Sequence, residues 1–145
     1  MNSKFTTIQK FAFLYGVMFL FVVAISHWPG LTDAEGRLMG LFKIDPIDDI
    51  FHLLSGIAAV IAGFKSVHWS KIFFIVVAIP YGLDAITGLL FSREFLNLNV
   101  FTQGLGAPDF SVSNILINLP HVLITIVALW VGLSFSKRYS NGKTA

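Results

Sequence analysis

Four apolar runs, at residues 8–28, 47–64, 70–92 and 113–136, limit what this chain can fold into more than any other feature. A helix needs about 20 apolar residues to cross a bilayer, and inside hydrocarbon only a helix or a closed barrel satisfies the backbone. The composition agrees, with 55% of the 145 residues hydrophobic and 12% charged, roughly half the charge of an ordinary soluble domain. The expectation is an all-α polytopic membrane protein: a four-transmembrane-helix bundle forming a single domain over residues 1–145, with outer loops at 29–46 and 93–112. The second run is short, which puts Asp48 and Asp49 at headgroup level. The first run, between MNSKFTTIQK and Ala24-Ile25-Ser26, has the features of a signal peptide, but its counterpart later in the chain favours an uncleaved helix.

Basic residues set the expected orientation. Lys4, Lys10, Lys65, Lys71, Lys137, Arg138 and Lys143 fall on one side of the spans, and only Arg37, Lys43 and Arg93 on the other. The positive-inside rule then makes both termini cytoplasmic. The net charge of +2 follows from that topology, and no clustered basic face argues for a nucleic-acid partner. The tail SKRYSNGKTA is expected to be a mobile, positively charged end near the inner leaflet. The absence of cysteine excludes disulfides, thiolate metal ligands and covalent haem attachment.

The chain carries signs of an internal repeat. A shift of 69 positions lays the second span on the fourth, matching Asp45 with Asn114, Asp49 with Asn118, His52 with His121, Ala59 with Ala128 and Gly63 with Gly132. A shift of 66 lays Tyr15-Gly16 on Tyr81-Gly82. The bundle is therefore expected to consist of two similar helical hairpins related by a pseudo-twofold along the membrane normal. In the first long loop, Asp45 before Pro46 is the expected helix cap, with Asp48 and Asp49 favoured in the first turn by the helix dipole. Ser113 or Asn114 is the expected cap of the last span. The apolar residues of GRLMGLFKIDPIDD suit a segment lying at the interface.

Residues three, four and seven apart share a helix face. The face of His52 carries Asp45, Asp49, Gly56, Ala59 and Gly63; that of His121 carries Asn114, Asn118, Thr125, Ala128 and Gly132. Small residues let backbones approach closely in lipid, so both faces should be buried in the bundle. At about 1.5 Å per residue, His52, His121 and Asp84 lie roughly 8–12 Å below the outer boundary and can form one polar layer. Tyr81 and Asn118 extend it, and Asp49 stands at its mouth. An aspartate at that depth needs a partner, and His52 or His121 is the one on offer.

Three functions compete for this layer. In the structural or accessory reading, which the sequence favours, the side chains satisfy one another and hold the helices together. In the second, His52, His121 and Asp84 hold a divalent metal, or the two histidines ligate a haem. In the third they relay protons or admit a solute. No GxSxG, P-loop, dinucleotide-binding or HExxH pattern points to an enzyme. Beyond the lipid bilayer, the open partners are a second copy or another membrane protein. His27, Trp28 and Trp69 read as interfacial anchors, and His68 as a solvated loop residue.

One further signal lies in residues 36–64, where Gly40, Leu41, Phe42, Asp49, His52, Leu53 and Gly56 form a pattern that resembles a small four-helix membrane family, domain of unknown function 4383. Asn118 and His121 echo it in the second half, where Pro120 and Val122 depart from it, and Asp45 stands where the family often has asparagine. The resemblance implies a polytopic protein of a bacterial inner membrane and implies no particular chemistry.

Overall fold

The computed structural model describes residues 5–141, with side chains through residue 135. Lys4, Lys143 and the last four residues of the tail lie outside the described residues, and Lys137 and Arg138 are described by their backbone alone. Four long helices form the bundle: α1 (Thr7–Ser26), α2 (Pro46–Lys65), α3 (Val67–Phe91) and α5 (Val112–Asn141). Each is long and apolar enough to cross a membrane. Leu14, Phe21, Leu54, Ile61 and Ile79 are among many large apolar side chains on the outside, a surface that suits lipid rather than water.

The helix ends follow from local chemistry. Asp45 caps α2 by accepting from the backbone N–H groups of Ile47 (2.9 Å) and Asp48 (3.5 Å), and Pro46 occupies the first turn, where its missing N–H costs nothing. Ser66 alone joins α2 to α3, as the C-cap of one and the N-cap of the other. His68 consequently belongs to the first turn of α3 rather than to a loop. The cap of α5 is Ser111, whose Oγ accepts from Asn114 N–H, two residues before the earliest position expected. The backbone of α5 also continues to Asn141, into the stretch expected to be a mobile tail.

Helix α1 packs chiefly on α2, and α3 on α5; α1 and α5 touch sparingly. At Gly16 and Gly56 the backbones of α1 and α2 approach so closely that a Cβ on Gly16 would sit 2.6 Å from Val60 Cγ2 and 3.1 Å from Gly56 O. Gln9 fastens the other end of this pair, its Nε2 donating to Gly63 O at 2.9 Å. Two tyrosines then reach across the bundle. The Tyr15 hydroxyl on α1 donates to Ile124 O on α5 (2.9 Å), and the Tyr81 hydroxyl on α3 donates to Ser55 Oγ on α2 (3.2 Å).

The long loops are folded. Residues expected to lie flat at the interface make a β-hairpin instead, β1 (Arg37–Leu38) against β2 (Phe42–Lys43), turned through left-handed backbone at Met39 and Gly40. Asp33 staples it by accepting from Arg37 N–H (2.7 Å), Arg37 Nε (3.0 Å) and Glu35 N–H (3.1 Å). Those bonds, the backbone N–H of Arg37 first, hold its carboxyl below the usual aspartate range. In the second loop a single short turn, α4 (Asn99–Thr102), follows the buried Leu96.

Candidate functional site

Under the loops, four rings from four helices meet. The His52 ring lies 5.7 Å from that of Phe19, 5.5 Å from Tyr81 and 5.7 Å from His121, and Tyr81 lies 5.5 Å from His121. His52 is 5% exposed and Asp84 1%, so the layer faces protein. Among the charged side chains, α3 contributes Asp84, α2 contributes Asp48 and His52, and α5 contributes His121.

Each histidine is held through the same ring nitrogen. Nδ1 of His52 lies 2.9 Å from Asp48 O, one turn earlier on its own helix. A carbonyl can only accept, so this nitrogen carries the hydrogen. Nδ1 of His121 lies 2.5 Å from Asp84 Oδ2, a carboxylate acceptor that fixes the same tautomer. The partner of Asp84 is thus His121 rather than His52. The other oxygen of Asp84 accepts the backbone N–H of Leu96 at 2.7 Å, so one carboxylate joins α3, α5 and the second loop. Neither Nε2 has a hydrogen-bond partner among the described residues, and Asp48 Oδ1 is buried without one.

The remaining expected members of the layer are arranged differently. Asn118 is 3% exposed but spends its amide on its own helix, donating to Asn114 O at 2.8 Å. It lies against Gly88 of α3, where a Cβ would overlap its side chain. Asp49, on the far side of α2's first turn, pairs with His27 Nε2 at 2.8 Å and so ties the end of α1 to the start of α2. His27 is accordingly more than an interfacial anchor.

Asp48 is the residue that sequence reasoning missed. The helix dipole alone accounts for a carboxylate in the first turn, and the spacing of four that puts Asp48 and His52 on one face is the signal that points to it. One ligand atom from each of Asp48, His52 and His121 lies within 4.8 Å of the others.

Above and beside this cluster opens a cavity of about 820 Å³. It lies along the seam between α1 and α5 and is roofed by the β-hairpin and the Glu94–Asn99 segment. Met18 and Val22 of α1 and Leu123 and Val127 of α5 are among its apolar lining, and Asp48, His52, Asp84 and His121 among its polar lining.

Helices, cavity and polar layer together define a polytopic integral membrane protein with a buried His/Asp layer at the end of the bundle that carries its long loops. The chain belongs to the family described as a domain of unknown function, DUF4383, whose model matches residues 9–107. The match takes in Asp48, His52, Tyr81 and Asp84; Asn118 and His121 lie beyond it. No curated protein and no solved structure matches the chain.

Proposed function

We propose that this chain is a small membrane protein that binds an amphipathic molecule in the cavity between α1 and α5. The observation that carries the reading is the composition of that cavity: apolar walls closing on one end where the free polar atoms are acceptors. A volume of about 820 Å³ lies within the several-hundred-Å³ range of small-molecule sites. With both Nδ1 hydrogens committed, the two Nε2 atoms and Asp48 Oδ1 call for a donor. Asp45, Asp49, Asp84 and Glu94 also line the cavity, against the single cation Lys43. The favoured head group is therefore an ammonium or hydroxyl, with a hydrocarbon tail along Met18, Val22, Leu123 and Val127.

Within this reading Asp84 has the structural part that the layer as a whole was expected to have, since it spans three elements. The setting is a bacterial inner membrane, as the sequence resemblance implies, with both termini cytoplasmic, which the distribution of basic residues supports, and the site then opens in the outer leaflet. A two-hairpin repeat is supported by the tyrosine bonds. Tyr81 stands 66 residues after Tyr15, and Ile124 stands 69 after Ser55, so the two cross-bundle bonds exchange under the same pair of shifts that relates the halves.

The test is equilibrium binding of dodecylamine and of dodecanoate to the protein in nanodiscs. The expected result is saturable binding of the amine, at least about tenfold tighter than of the acid, and its loss in Leu123→Trp, which fills the cavity. Equal, unsaturable uptake of both would reduce the signal to partitioning into lipid and overturn the reading.

A further inference from the structure

A histidine prepared as a metal ligand has its second nitrogen tied to an acceptor, which fixes the tautomer and aims the free nitrogen. Both imidazoles of the layer are so tied, His52 to a backbone carbonyl and His121 to the Asp84 carboxylate. They belong to different helices, yet one ring nitrogen from each and one carboxylate oxygen of Asp48 fall within 4.8 Å of one another. Asp48 Oδ1, the third of these groups, is buried with no hydrogen bond, its near neighbour being the His52 Nδ1 at 3.5 Å, whose hydrogen goes to the Asp48 carbonyl. An unpaired carboxylate oxygen out of water is costly, and a cation between it and the two imidazoles would relieve that cost.

We propose that Asp48, His52 and His121 bind one divalent first-row transition-metal ion through the carboxylate and the two Nε2 atoms, with Asp84 as the positioning residue for His121. Nitrogen and carboxylate ligands suit zinc, iron or manganese rather than the thiophilic ions. A four-coordinate ion with bonds of about 2.0–2.2 Å separates its ligand atoms by about 3.3 Å, a contraction that side-chain rotation supplies. Three protein ligands leave at least one coordination position open, and it faces the cavity. This set replaces the expected His52, His121 and Asp84: both oxygens of Asp84 are already engaged, by Leu96 and by His121. A porphyrin does not fit between the imidazoles, because the Tyr81 ring, 5.5 Å from each, occupies the plane in which the macrocycle would lie. The ion would take the same three atoms that the ligand-binding reading offers to a head group, so ion and amine compete, and stoichiometric ion binding without any amine tells the two apart.

The experiment is titration of tag-free, chelator-stripped protein in nanodiscs with Co²⁺, read by its visible bands, and with Zn²⁺ by calorimetry. One ion per chain is expected, with dissociation constants weakened at least about tenfold in Asp48→Ala, His52→Gln and His121→Gln. Asp84→Asn keeps an acceptor for His121 Nδ1 but removes the charge. It should leave the Co²⁺ band pattern in place while weakening binding by about 10–100-fold, as outer-sphere changes do, and move the pH midpoint of binding. Asp48 lies in the first turn of α2 beside the loops, so its alanine variant keeps the test decisive if a histidine variant fails to fold. Absence of stoichiometric binding to the native chain, or unchanged affinity in folded Asp48→Ala, would overturn the proposal.

Discussion

Asp84 concentrates the polar logic of this molecule in a single side chain. It receives the imidazole of His121 on one oxygen and the Leu96 amide on the other, so removing it leaves two buried donors unmatched. Replacing both Asp84 and His121 by leucine should cost less stability than the two single changes summed, with a coupling of about 1 kcal/mol, the scale of polar contacts between membrane helices. Asp84→Leu with His52→Leu should be additive. Reversible unfolding in mixed micelles measures both cycles. The sequence had marked Asp84 and the two histidines as one layer through depth and facial spacing, but which histidine takes the carboxylate depends on how α3 and α5 are rotated, and apolar helices carry little record of rotation. Asp48 and Asp49 illustrate the same limit: adjacent in sequence, they diverge by about 100° around a helix of 3.6 residues per turn, one toward His52 and the other toward His27.

At the scale of elements, the contact of α1 with α2 depends on the absence of side chains at Gly16 and Gly56. Gly16→Leu should destabilise the protein by about 1–3 kcal/mol, the usual cost of overpacking. Gly82→Ala should cost less, since the Thr125 methyl 3.1 Å from its added Cβ needs to yield only a few tenths of an ångström. Thermal unfolding in one detergent compares the two. The spans themselves were legible because hydrocarbon imposes a length and a composition on any helix that crosses it. The connections were less so. The β-hairpin at Arg37–Lys43 depends on backbone at Met39 and Gly40 that no hydropathy pattern encodes, and Ser66 serves two helices at once where separate ends were expected. The Asp45 cap, by contrast, could be read directly from an aspartate before a proline.

Over the whole molecule, the two long loops lie at the same end of the bundle as the polar layer, and the α2–α3 junction at the other. A cytoplasm-active reporter fused after Ala145 should be active, and one inserted in the 93–112 loop inactive, if the basic residues orient the chain as expected; reversed activities would place the cavity toward the cytoplasm. The junction also bears on how anything reaches that cavity. One residue between α2 and α3 leaves no slack, and α1 is locked to α2 by glycine contact and by Gln9. Helix α5, in turn, is held to α3 by His121 on Asp84 and by Asn118 against Gly88. Its thin contact with α1 makes that seam the door, and the Tyr15 hydroxyl on Ile124 O its latch.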